Sequence, residues 1–113
     1  MDFEVSVRQS GSTTIFDLRG PVMYTEARAL HDMVCELLKI GHKKILVNLS
    51  NVTRLDSSGI GSLVRTYTAV KDGGGDLKVL HLNKQIQRIL EITNLTKVLE
   101  DYSDEEAALR SFE

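Results

Sequence analysis

Apolar and polar residues alternate through Phe3, Glu4, Val5, Ser6 and Val7, a period of two that predicts a strand. Gln9, Ser10, Gly11 and Ser12 interrupt the alternation before a second run from Thr13 to Leu18, so the two runs predict a β-hairpin. Gly20 and Pro21 are expected to end the second strand, because proline has no amide to give to a ladder. From Thr25 the period lengthens. Ala27, Leu30, Met33, Val34, Leu37 and Leu38 recur at three and four residues, a helical stripe facing a sheet, with Gly41 as its stop. Ile45 to Leu49 form a short, nearly continuous apolar run rich in branched residues, as a strand covered on both faces requires, and Ser50 to Arg54 read as a loop. Helical spacing returns at Ile60, Leu63, Val64 and Tyr67, in a helix starting near Ser57 and broken by Gly73, Gly74 and Gly75. Leu77, Val79, Leu80 and Leu82 predict another strand, with His81 on it, and Ile86, Ile89 and Leu90 a third helix. Leu95, Val98 and Leu99 suggest a brief edge strand, and Ala107, Ala108 with Leu109 or Phe112 a last helix. Ser103 and Glu106 have the spacing of a capping box for that helix.

The resulting order, β, β, α, β, α, β, α, short strand, helix, describes an α/β chain with a mixed sheet of four to five strands. Right-handed strand–helix–strand crossovers place their strands in parallel, while the opening hairpin contributes an antiparallel pair. With 113 residues and no internal repeat or linker, residues 1–113 are read as a single domain. Such a chain buries roughly 65% of its unfolded surface, enough for a core without disulfides or a structural metal. In open sheets, sites gather beyond the carboxyl ends of the parallel strands, and Asp56 to Gly59 stand at such an end.

Composition removes several classes of function. Fourteen Lys and Arg against 16 Asp and Glu give a net charge of −2, without the cationic excess that nucleic acid or an anionic membrane demands. Aromatic residues make up 5% and Trp is absent, so stacking platforms for single strands are missing too. No window approaches the ~18 apolar residues of a membrane span. Met1 is followed by Asp2 and Glu4 rather than a basic and apolar leader, so a cytoplasmic location is expected. Cys35 is the one cysteine and reads as a small, buried or half-buried hydrophobe within the first helix. His31, His42 and His81 are dispersed, with structural or solvated roles, and no His or Cys pair has ligand spacing; no metal or cofactor is expected. A Gly-x-Ser-x-Gly elbow is absent, so catalysis is not expected. The triple glycine precedes a strand with no Lys-Ser or Lys-Thr after it, and reads as a turn rather than a phosphate cradle.

Asp56, Ser57 and Ser58 are good capping residues for a helix whose first amides have no internal partners. Capping alone does not explain Gly59 and Gly61 at the beginning of that helix, where each costs roughly 0.5 to 1 kcal/mol relative to Ala. Small residues there allow another chain to approach the backbone closely. A hydroxyl there is also a reasonable phosphate acceptor, at a point where the helix dipole tolerates the added charge of about −1.5 to −2 and Asp56 opposes it. The outer face of this helix, read as including Ser62, Arg65, Thr66 and Ala69, would continue a docking surface; Met23 and Tyr24, near the same end of the sheet, fit either a partly exposed extension of it or core packing.

Leu55-Asp56-Ser57-Ser58-Gly59-Ile60-Gly61-Ser62-Leu63 resembles the signature of STAS domains, in particular the stand-alone bacterial anti-sigma factor antagonists. The strand from Ile45 to Leu49, the Gly73 to Gly75 turn before Leu77 to Leu82, and Ile86 through Leu95 fit the same pattern, so the resemblance spans essentially the whole chain. It implies a STAS-like mixed sheet with helices mainly on one face. It also implies a phosphorylation-responsive switch, with Ser57 the acceptor of a phosphoryl group from an anti-sigma factor that is itself a serine kinase. Unphosphorylated antagonist would bind that partner and free sigma factor, and a metal-dependent serine phosphatase would reset the switch. Asp56, Ser58, Gly59, Gly61, Ser62 and Arg65 would form the partner-binding surface, on a monomer or weak homodimer. Many members carry an acidic residue shortly after the glycine near the end of the second strand, whereas this chain has Gly20, Pro21, Val22 and Met23. Two other readings compete. One is a non-phosphorylated STAS scaffold subunit of a signalling assembly. The other is a phosphoaspartate receiver using Asp56, which needs an acidic pair after the first strand where this hairpin offers only Glu4 and Asp17.

Overall fold

The computed structural model describes residues 2–113, and its hairpin pairs Glu4–Ser10 (β1) antiparallel with Thr13–Val22 (β2). Parallel neighbours follow in chain order: Lys44–Leu55 (β3) beside β2, Asp76–Leu80 (β4) beside β3, and Asp101–Tyr102 (β5) beside β4. Helices Tyr24–Lys39 (α1), Ser57–Asp72 (α2) and Lys84–Ile92 (α3) make the crossovers, and Glu105–Ser111 (α4) ends the chain. Alternate strand residues divide the core. Phe16, Val47 and Val79 face the side that takes Leu30, Leu63 and Leu90 of α1, α2 and α3. Ile15, Leu46 and Leu80 face the side covered by Ala108 of α4. The expected mixed sheet with helices mainly on one face is therefore present, with five strands.

Beneath α4 the chain holds a buried cation. The Lys78 ammonium donates to the Ser111 carbonyl at 3.0 Å and to its hydroxyl at 2.8 Å, and lies 4.6 Å from the Phe112 ring centre. These partners, with Glu100 at 3.4 Å, compensate the desolvation of its charge. On the same side Arg8 bridges Asp17 and Glu105, with its Nη2 3.0 Å from Asp17 Oδ1 and 2.7 Å from Glu105 Oε1, so the hairpin and α4 are joined.

Several elements depart from the pattern read along the chain. Strand β2 does not stop at Gly20 and Pro21 but runs through both, with Gly20 opposite Val52 and Pro21 opposite Arg54. Proline is accommodated because the register shifts there, and Gly20 takes φ +93° with the Asp2 carbonyl against it. Residues 50–54 are strand rather than loop. Between Asp17/Asn48 and Arg19/Asn51, and again between Gly20/Val52 and Pro21/Arg54, β3 inserts one residue more than β2. Each bulge resets the alternation, which is why Leu49, Val52 and Leu55, three residues apart, all reach the same core.

Leu95–Lys97 form a 3-10 turn instead of an edge strand, with Leu99 buried, and the edge pairing moves to Asp101 and Tyr102. Asp104, not Ser103, caps α4 by accepting from the Ala107 amide at 3.3 Å. Leu82 and His81 lie beyond β4, and His81 turns the chain at φ 57°.

Candidate functional site at the start of α2

Val22 and Leu55 are paired neighbours at the ends of β2 and β3, and one residue beyond each stands the N-cap of a helix. The N-caps Met23 and Asp56 have matching extended backbones, with φ −99° and −94°. Two helix N-termini thus open side by side at the carboxyl edge of the sheet, each with unsatisfied amides and a partial positive charge.

The two caps differ in chemistry. Asp56 Oδ1 accepts from the Gly59 amide at 2.7 Å, which closes the start of α2 in the expected way. Met23 makes no side-chain cap. Glu26 reaches back instead, its Oε1 accepting from the Met23 amide at 3.0 Å. Glu26 stands three residues after the N-cap, the spacing of a capping box, but methionine is not a capping residue, so the sequence does not carry that signature.

Ser57 and Ser58 are both exposed, Ser57 as the first residue of α2. Gly59 is buried, and its role differs from the expected one. A Cβ there would collide with the Val22 carbonyl oxygen and sit 2.9 Å from Leu55 Cδ1, so the close approach it allows is between α2 and the end of β2. Gly61 is exposed with open space around it, and Arg65 is exposed as expected.

Ser62 and Thr66 do not belong to the outer face. They are 5% and 0% exposed and turn toward α1, where the Thr66 hydroxyl donates to the Ser62 carbonyl at 2.8 Å and His31 Nδ1 lies 2.9 Å from Thr66 Oγ1. Ala69 is half-buried. The exposed stripe of α2 consists of Ser58, Gly61, Arg65, Thr68 and Asp72, at three- and four-residue spacing. Tyr24, 49% exposed at the start of α1, extends that surface across the second helix end, and its hydroxyl accepts from Arg28 at 2.9 Å. His31 has a structural partner, as expected, and His42 is half-buried in the turn after α1.

Among the described residues no group of three or more His, Cys, Asp or Glu is placed to hold a metal, and no helix is long and apolar enough to cross a membrane.

Comparison with known proteins agrees with this arrangement. The STAS domain profile matches residues 4–108. The anti-sigma-B factor antagonist of Bacillus subtilis (strain 168) is 28% identical over 100 residues, covering 88% of this chain and 91% of that protein. The crystal structure of an anti-sigma factor antagonist from Mycobacterium paratuberculosis superposes with a TM-score of 0.85 at 21% identity, covering 98% of this chain and 94% of the other. The Bacillus cell fate determinant SpoIIAA in its phosphorylated form superposes with a TM-score of 0.73 at 18% identity, covering 97% and 99%.

Proposed function

Because the chain belongs to the STAS domain family, we propose that it is an anti-sigma factor antagonist, a protein-interaction switch set by phosphorylation of Ser57. The observation that carries this reading is an exposed hydroxyl on the first residue of α2, next to a carboxylate already committed to capping. Unmodified, this end of the molecule presents Ser57, Ser58 and Gly61 as a small-residue surface bordered by Arg65 and Tyr24, and an anti-sigma factor docks against it. A phosphoryl group adds about −1.5 to −2 charge and a hydration shell at the point of closest contact, which ends docking while the helix dipole keeps the charge compatible with the fold. The partner is an anti-sigma factor with serine kinase activity, and a serine phosphatase restores the binding form.

The test is intact-mass and fragment analysis after incubation with a serine-kinase anti-sigma factor and ATP. One phosphate on Ser57, lost in Ser57→Ala while that variant still binds the kinase, is the expected outcome. Phosphate on another residue refutes the site. The absence of any mass change together with a stable oligomer by light scattering favours the scaffold reading, to which Met23 lends weight because it occupies the α1 cap without an acid.

A further inference from the structure

Strand β1 stands at one end of the sheet, and its residues are exposed except for the half-buried Val5. Ser10 and Thr13 flank the two-residue turn at Gly11 and Ser12, so they close it as a hydrogen-bonded pair. The register runs from Ser10 back to Glu4 without a shift, and alternation makes Arg8, Ser6 and Glu4 the residues bonded to β2. The amides and carbonyls of Val5, Val7 and Gln9 therefore point away from the sheet. Proteins blunt such an edge with proline, lysine or a bulge, and β1 has none of these.

The two faces beside this edge differ. Val5 and Val7 lie on the face of their partners Leu18 and Phe16, and Val7 is 47% exposed. His31 of α1 turns to Thr66 of α2, so Met33 and Ile40, about half a turn round the helix, lie on the flank toward β1, and both are exposed. The opposite face carries charge of alternating sign: Arg19 of β2 stands opposite Glu4, and Arg8 is held by Asp17 and Glu105.

Two copies of such an edge pair about a two-fold axis only where outward-pointing residues meet one another. Centring the pair on Ser6 sets Val5 against Val7 of the second copy, Glu4 against its Arg8, and Ser6 against its Ser6. Apolar residues then meet apolar ones and opposite charges meet, the pairings that stabilise a sheet. Centring on Val7 instead sets Val5 against Gln9 and Glu4 against Ser10. We propose that a second copy of this chain docks on β1 in the Ser6-centred register and joins two five-stranded sheets into one. Each Val5/Val7 pair exchanges both of its hydrogen bonds, and Met33 and Ile40 of each copy border the seam. One strand edge with a narrow apolar border belongs to the transient class of interfaces, under roughly 1,200 Å², so the dimer is reversible and distinct from the stable oligomer of the scaffold reading.

Sedimentation velocity of the full chain from about 10 μM to 1 mM reads the association, and a shift from monomer toward dimer with rising concentration is expected. Val7→Pro removes an outward amide and no bond to β2, so it is expected to keep the native circular dichroism and raise the dissociation constant at least about tenfold. If that variant does not fold, Glu4→Lys, an exposed change that sets like charges against each other twice across the seam, is expected to have an effect of about the same size. Cross-linking reads the register. Under mild oxidation Ser6→Cys is expected to give a covalent dimer bonded through the two introduced thiols, because Cα atoms in a non-hydrogen-bonded pair are about 4.5 Å apart, within disulfide reach. Ser10→Cys and the unaltered chain, whose one thiol is Cys35, are expected not to. A chain that stays monomeric throughout overturns the proposal. So does a dimer undiminished in a folded Val7→Pro or Glu4→Lys variant, and cross-linking of Val7→Cys without that of Ser6→Cys overturns the register.

Discussion

Gly59 and Gly61 stand two residues apart in α2 and respond to opposite demands. Gly59→Ala pushes a methyl group into the Val22 carbonyl, a backbone atom that cannot swing away, and is expected to destabilise the chain by about 1–3 kcal/mol in urea unfolding. Gly61→Ala meets nothing and is expected to stabilise it by about 0.5 to 1 kcal/mol, since alanine is the better helix former. If Gly61 is kept for a docking partner, the same substitution weakens binding of the anti-sigma factor while raising the unfolding midpoint; a stabilised variant with undiminished affinity removes Gly61 from the interface. Met23 is the third informative residue. Its backbone already has N-cap geometry, so Met23→Asp is expected to add about 1 kcal/mol of stability by accepting from the first amides of α1. A thermal midpoint unchanged or lowered contradicts that expectation. That a cap stands within Asp56 to Ser58 is legible from Asp-Ser-Ser-Gly, but not which of the three residues supplies it. The neighbour Gly59 must accommodate is not legible either, because it is supplied by a strand end whose length the linear pattern misjudges.

At the scale of elements, the helices were legible because three- and four-residue spacing persists through each of them, whereas β3 was read only to Leu49. The reason is the pair of bulges, which turn a two-residue alternation into Leu49, Val52 and Leu55 and so erase the signal by which a strand is recognised. The edge strand is hidden in the sequence for a different reason. With two residues held by pairing to β4 it is too short to carry any period, and the apolar residues before it fill the core from a 3-10 turn. Elements distant in sequence are joined by charge, which no local pattern shows: Arg8 of β1 holds Asp17 of β2 and Glu105 of α4. The Arg8 guanidinium keeps the Asp17 carboxyl below its usual range, and a hydrogen bond from Asn48 acts in the same direction. Because the folded chain then binds that proton less readily than the unfolded one, this stability is full above the ordinary carboxylate range and is lost as pH falls below that range through the lowered value of the folded chain. Asp17→Asn is expected to cost about 1 kcal/mol near neutral pH and to flatten the acid limb of a urea-midpoint profile. An acid limb identical to that of the unaltered chain rules out the clasp as its source.

On the scale of the molecule, the pairing of Val22 with Leu55 sets two helix starts at one edge, so a change at Ser57 acts where both α1 and α2 direct their amides. With a net charge of −2, one phosphoryl group about doubles the charge and concentrates the increase at that edge. In the free protein Ser57 is exposed, so water and salt screen the added charge and folding hardly registers it. If the anti-sigma factor docks over Ser57 as proposed, the same charge would lie between two protein surfaces that exclude both, and its desolvation would oppose binding directly. The two situations separate experimentally. Ser57→Asp is expected to shift the unfolding free energy by no more than about 0.5 kcal/mol, as surface substitutions do. The same variant should lower affinity for the anti-sigma factor by more than about tenfold, or about 1.4 kcal/mol. Raising salt to about 1 M, where the Debye length is ~3 Å, should leave that loss in place while abolishing the smaller effect of Arg65→Gln on the association rate. Recovery of Ser57→Asp binding in high salt would instead show that the partner senses the charge across solvent, and would move the contact away from the start of α2.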